Sequence, residues 1–177
     1  FLGEKIINKV YKKSDLEFLN TLGNIAIISL ENARLFQETL EKQKLEEEMA
    51  LARNIQMRLL PKEFPSFDNL EIHGLNIPSK QVGGDYFDII KLEDHLIALT
   101  IADVSGKGTP ASLLMSNLQA SIHSLILENR KLDKLVMQIN NVIFKNTDPE
   151  KYITFFIGLL NLDSLEFQFV NAGHNPP

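Results

Sequence analysis

The 177-residue chain carries 18 basic and 23 acidic side chains, a net charge of -5, with 44% hydrophobic and 23% charged residues. This is the composition of a globular protein, and the acidic balance argues against a nucleic-acid binder, which must neutralise phosphates. The absence of cysteine excludes a disulfide scaffold, cysteine-ligated zinc and thiol catalysis. No apolar run approaches the ~18 residues of a membrane-spanning helix, and no signal peptide stands at the start. The expectation is therefore a cytoplasmic protein without membrane insertion. Phe1 in place of an initiator methionine fits a piece of a longer chain.

Lys5-Ile6-Ile7-Asn8-Lys9-Val10-Tyr11 has the makings of one terminal strand. Ser14 and Glu17 then offer a capping box, and from Asp15 to about Leu60 there is no proline and only Gly23 among glycines. So long a helix-compatible stretch suggests a coiled coil or a signalling linker. Ile28, Leu35, Leu45, Met49, Ala52 and Leu59 fall near heptad seam positions, although Glu38, Lys42 and Gln56 interrupt the seam. An amphipathic helix lying on its neighbours is the alternative. The Glu46-Glu47-Glu48 run reads as a solvated helix face.

Pro61 to Pro65 ends the helix, and the hydrophobic period changes. Leu70–Leu75, Gly84–Leu92 and His95–Asp103 read as strands. Thr109 as N-cap with Pro110 after it opens a helix to about Leu127. A second helix carries Leu132, Leu135, Val136, Ile139, Val142 and Ile143 at helical spacing. Tyr152–Leu160 and Leu165–Asn171 close the chain as strands, the last with Leu165, Phe167 and Phe169 on the expected buried face. The fold class is α+β.

Two aspartates stand out. Asp85, Phe87 and Ile89 share one face of their strand, and Ile97, Leu99, Ile101 and Asp103 share one face of the next. A short turn around Asp94 makes the two an antiparallel hairpin. Pairing 85 with 103 brings both apolar faces to the same side, so the pattern selects that register and predicts burial of Phe87, Ile89, Ile97, Leu99 and Ile101. It also sets two carboxylates side by side, which is destabilising for like charges. One of them can stay protonated, a basic side chain can pair with both, or a divalent cation can sit between them. Lys80, Lys91 and Lys107 are the nearby basic residues. All-oxygen ligation suits magnesium or manganese. The competing reading has Asp85 capping the Gly83-Gly84 turn and Asp103 capping the loop that follows it. An EF-hand is excluded because its spaced acidic loop is absent.

Val104-Ser105-Gly106-Lys107-Gly108-Thr109-Pro110 fails the Walker A spacing, since Gly108 follows Gly106-Lys107 and no upstream glycine stands where that motif needs one. What remains is a flexible turn leading into a helix N-terminus. His174 reads as a turn-stabilising side chain. His73, His95 and His123 lie in unrelated elements and make no metal triad. No serine has a recognisable histidine and acid partner, so nucleophilic catalysis lacks support.

Leu51-Ala52-Arg53-Asn54-Ile55-Gln56 with Leu59-Leu60-Pro61, then VGGDYFD, IADVSGKGTPASLLM and NAGHNPP, resemble the SpoIIE/RsbU-type branch of the PPM metal-dependent serine/threonine phosphatases. The resemblance covers roughly residues 50–177. It implies a β-sandwich flanked by helices, of which 62–177 would be the N-terminal part, with two Mn²⁺ or Mg²⁺ ions at one edge. It also implies a phosphorylated protein substrate, usually an anti-sigma-factor antagonist. Carried over by position, Asp85 and Asp103 match metal-ligating aspartates that act catalytically through metal-held water, and Val104 matches a position whose backbone carbonyl holds a metal. Residues 1–36 are similar to the last strand and exit helix of a GAF sensor domain, and 37–61 would be the linker. The family's further metal-ligating aspartates, in an Asp-Gly motif and near the C-terminus, have no match, so this stretch alone is expected to be impaired or inactive. The rival reading is a non-catalytic module of a sensor protein that forms a homodimer through the linker helix.

Overall fold

The computed structural model describes residues 10–67, 70–77, 81–148 and 150–176. The chain divides into two compact units, Phe1–Glu48 and Met49–Pro177. In the first, the described structure is the run-in and most of helix α1 (Lys13–Gln56). Its cap lies two residues earlier than the sequence suggests: the Lys12 backbone N–H donates to the Asp15 carboxylate at 3.0 Å, and Ser14 is already helical. Asp15 therefore holds the acidic place of the capping box in this turn. Ion pairs one turn apart, Arg34 to Glu38 and Lys42 to Glu46, run along its surface. Leu16, Phe18, Ile25, Ile28, Leu35 and Leu45 are exposed on the same helix. The terminal strand expected at Lys5–Tyr11 falls for its first five positions outside the described residues, and Val10 and Tyr11 are irregular.

The second unit is an antiparallel sheet backed by two helices. Strands β1 (Tyr86–Glu93) and β2 (Leu96–Val104) form a hairpin, followed by helices α2 (Thr109–Glu128) and α3 (Leu132–Lys145), then β3 (Ile153–Asn161) and β4 (Phe167–Ala172). The strand order is β1-β2-β3-β4. The hairpin register pairs Tyr86 with Ala102 and Phe87 with Ile101, the register that the alternating pattern selects. β3 pairs Asp103 with Thr154 and Ile101 with Phe156.

The strand expected at Leu70–Leu75 is reduced to a single bridge between Phe67 and Leu70, and Leu75 is exposed. Only its apolar-polar alternation favoured a strand, and no neighbouring chain pairs with it. Helix α2 is capped by Gly108 and not by Thr109, which is its first residue and whose hydroxyl turns towards the Met49 sulfur at 3.8 Å.

The core lies on the sheet face opposite the expected one. Tyr86, Ala98, Ala102, Val104, Phe155 and Ile157 are buried against α2 and α3, which supply Met115, Leu118, Ile122 and Leu135. Small side chains on β2 let the helices approach closely. On the other face Ile97 is buried, but Phe87, Ile89 and Leu99 are only partly covered and Ile101 is 45% exposed. Phe167 and Phe169, expected inside, are 40% and 58% exposed; Phe169 stacks on Phe156 and on Phe167, and Phe167 lies tilted to Phe156, across this face. From β4, Val170 and Ala172 pack on the core instead.

Candidate metal centre

Asp85 immediately precedes β1, and Asp103 is the penultimate residue of β2. Continuing the ladder one step past Tyr86 and Ala102 sets them opposite each other, at one end of the apolar sheet face. Their side chains come within hydrogen-bonding range, and the Asp85 carboxyl is held above its ordinary value of 3.8, first by partial burial, then by the Asp103 charge and the hydrogen bond to it. The two aspartates border a cavity of ≈ 370 Å³, whose wall also includes Gly83, Gly84, Val104, the Ser105–Gly108 loop and Tyr152.

Three local devices hold this cavity open. The loop turns on Gly106 and Gly108, at φ 99° and 76°, values that favour glycine. Ser105 locks it to the start of β3: its N–H donates to the Tyr152 carbonyl, and the Tyr152 N–H donates to its hydroxyl, both at 2.9 Å. On the opposite wall, Gln56 grips the Gly83 backbone from both sides, donating to its carbonyl at 2.7 Å and accepting from its N–H at 3.1 Å. Gln56, which breaks the apolar seam in the sequence, is buried in this role. That polar residue in a seam position was the one available signal for it.

The turn is held by the Asn171 side chain, which donates to the His174 carbonyl and accepts from the His174 backbone N–H, so the His174 ring is not the turn-stabilising group expected. The ring instead reaches Thr154, with its Nδ1 2.9 Å from the hydroxyl, and Thr154 is the residue paired with Asp103. Lys107 lines the cavity, Lys91 pairs with Asp94, and Lys80 lies outside the described residues. Among the described residues no basic side chain forms an ion pair with Asp85 or Asp103. Asp88 and His123, 35 positions apart, form a part-buried contact that no sequence spacing announces.

The donor set fits part of a shell for a hard divalent cation: two adjacent carboxylates, unrelieved by a lysine or arginine, with the Val104 carbonyl beside them. Among the described residues no third histidine, aspartate or glutamate completes a cluster.

The family described as Stage II sporulation protein E (SpoIIE) matches residues 93–177. Phosphoserine phosphatase RsbU of Bacillus subtilis is 30% identical over 99% of this chain and 53% of its own length. Phosphoserine phosphatase RsbP of the same organism is 24% identical over 73% of this chain and 33% of its own. The crystal structure of the RsbU and RsbW domains of Rv1364c from Mycobacterium tuberculosis superposes with TM-score 0.50 at 31% identity, over 55% of this chain and 27% of that one. The chain thus spans about half the length of RsbU.

Proposed function

We propose, from the premise that residues 93–177 are part of a SpoIIE-type phosphatase domain, that the longer protein is a metal-dependent phosphoprotein phosphatase acting on phosphoserine or phosphothreonine. The observation that carries this reading is the meeting of Asp85 and Asp103 at the mouth of a cavity, with the Asp85 carboxyl raised first by burial and then by its neighbour. Asp85, Asp103 and the Val104 carbonyl would hold Mn²⁺ or Mg²⁺. A bound ion of this kind supplies a water acidified towards neutrality and positive charge for the transferring phosphoryl group. The chain's own part is to keep the two carboxylates side by side on a rigid hairpin and to shape the cavity with the Ser105–Gly108 loop. Gly106 and Gly108 let the backbone come close to a phosphate.

The substrate proposed is a phosphorylated protein, of the anti-sigma-factor-antagonist class that the motif resemblance implies. The exposed apolar row on α1 supports a homodimer through that helix, and residues 1–36, 37–61 and 62–177 are proposed as sensor end, linker and the start of the phosphatase domain. No described helix is long and apolar enough to cross a membrane; the setting proposed is cytoplasmic.

Calorimetric titration with Mn²⁺ of the wild-type chain and of Asp103→Asn tests the site. The expected result is measurable binding that is lost in the variant. Equal affinity in the two proteins would take Asp103 out of the ion's shell.

A further inference from the structure

Successive side chains of β1 point to opposite sides of the sheet. Asp85, Phe87 and Ile89 lie on the open face, whereas Tyr86 and Asp88 point towards the helices. Asp88 is thus a carboxylate placed in a hydrophobic core, with its side chain 8% exposed. Both its oxygens are engaged. Oδ1 accepts the Ile89 N–H at 2.8 Å, and Oδ2 accepts the Tyr86 hydroxyl at 2.8 Å. Oδ2 also lies 2.6 Å from Nε2 of His123, on α2. Because the carboxylate accepts, Nε2 is the imidazole nitrogen that carries the proton. Burial, and then the Asp88 charge, hold the Tyr86 phenol far above its ordinary value, so that hydroxyl stays a donor. None of these three side chains lines the cavity at Asp85 and Asp103.

What the cluster does is fasten β1 to the later turns of α2. At its first turn α2 touches the same strands again. A Cβ added at Gly84 would come within 2.9 Å of the Val104 Cβ and carbonyl oxygen and 3.2 Å of the Ala111 Cβ. Ala111 is therefore seated against Gly84, the residue before Asp85, and Gly84 in turn lies against Val104, the residue after Asp103. A helix held at one point on a sheet can slide or turn about it. Held at Ala111 and again at His123, α2 can do neither without losing the hydrogen bond between the half-exposed His123 ring and the buried Asp88 carboxylate, whose loss leaves Asp88 under-satisfied.

We infer that Asp88 and His123 are positioning residues for the metal centre: their hydrogen bond fixes α2 along β1, keeps Ala111 seated on Gly84 where Gly84 meets Val104, and so sets the spacing of the Asp85 and Asp103 carboxylates. In its consequence for ion affinity this rests on the metal-binding reading above; the geometric part concerns the metal-free chain.

The test uses the ¹⁵N-labelled 177-residue chain as wild type, His123→Ala and His123→Gln, because the glutamine amide can place a donor where Nε2 lies. In the metal-free proteins, His123→Ala is expected to shift the amide resonances of Gly84, Asp85 and Val104, and His123→Gln to return them towards wild type. In calorimetric titration with Mg²⁺, His123→Ala is expected to bind roughly 3- to 30-fold more weakly, with His123→Gln restoring most of the loss. A packing role alone would lower the melting temperature without moving either readout. Unmoved amides at Gly84, Asp85 and Val104, or an unchanged Mg²⁺ affinity in a wild type that binds the ion, overturn the inference. Shifted amides with glutamine rescue, in a wild type that binds no Mg²⁺, uphold the positioning role and remove the metal reading instead. If His123→Ala does not fold, Asp88→Asn, which leaves one acceptor oxygen where the carboxylate has two, is read by the same two measurements.

Discussion

At the scale of single residues, the pair Asp85 and Asp103 sets a cost in the metal-free chain that an ion would remove. Asp85 is raised above its ordinary 3.8 by burial and by Asp103. A carboxyl raised on folding stabilises fully only below its unfolded value, and that contribution is lost as pH climbs through the raised one. The metal-free chain should therefore lose stability from about pH 4 upward across this step. Asp103→Asn removes the neighbouring charge, so the loss should shrink and the metal-free melting temperature at pH 7 should rise by roughly 1–3 °C, the scale of a partly exposed charge contact. Thermal melts at pH 4 and pH 7, with and without Mn²⁺, check both signs. A variant still stabilised by Mn²⁺ as strongly as wild type would contradict the assignment. Gln56 makes a different kind of contribution, because both its hydrogen bonds serve the Gly83 backbone. Gln56→Ala leaves that N–H and carbonyl without their partner, at about 1–3 kcal/mol. Urea denaturation should show that loss, while Gln56→Glu, which keeps only an acceptor, should fall between.

Elements show where local choices depend on neighbours. The β1–β2 hairpin places the aspartates, but Gly84 decides how closely α2 approaches them. In Gly84→Ala the new Cβ meets Val104 and Ala111 at 2.9–3.2 Å, and overpacking of this kind costs roughly 1–3 kcal/mol. The expected outcome is a lower denaturation midpoint together with weaker Mn²⁺ binding, since the displaced residues adjoin both carboxylates. Helix α1 presents the opposite case, an element with apolar side chains and little to bury them. Leu35 and Leu45 are 50% and 57% exposed, and each buried leucine contributes about 1.5–3 kcal/mol. Pairing with a second copy is the proposed remedy. Sedimentation should find the wild-type chain dimeric at micromolar concentration and the Leu45→Glu, Met49→Glu double variant monomeric. A monomeric wild type would end the proposal.

For the molecule as a whole, the sheet has helices on one face and exposed aromatic side chains on the other. Two carboxylates and one carbonyl are a small donor set for an ion, so waters would fill the remaining positions. Holding two ions about 3.5–4 Å apart for in-line attack needs more ligands than the described residues bring together. The 177-residue chain should therefore hydrolyse a phosphoserine protein far more slowly than a longer chain that adds further carboxylates. Mn²⁺-dependent release of phosphate, measured for both at matched concentration, is the check; similar turnover would show that this donor set suffices.

The hairpin register was determined by the sequence alone, because a slip by one residue would have separated two apolar faces that belong together. That register carries Asp85 opposite Asp103, so the candidate site was legible before any coordinates. Helix extents were legible too, from proline placement and from the spacing of Leu132, Leu135 and Ile139. The face that became the core was not. Both sides of β2 are apolar, and alternation says only which residues travel together, not which side the helices will cover. It favoured the bulky side with Phe87 and Ile101, whereas α2 and α3 settled on the small residues Ala98 and Ala102, where close approach is possible. The contacts of Gln56 with Gly83 and of Asp88 with His123 were likewise decided only in three dimensions. Each joins residues 27 or 35 positions apart, and hydrogen bonds between elements leave no period in a sequence.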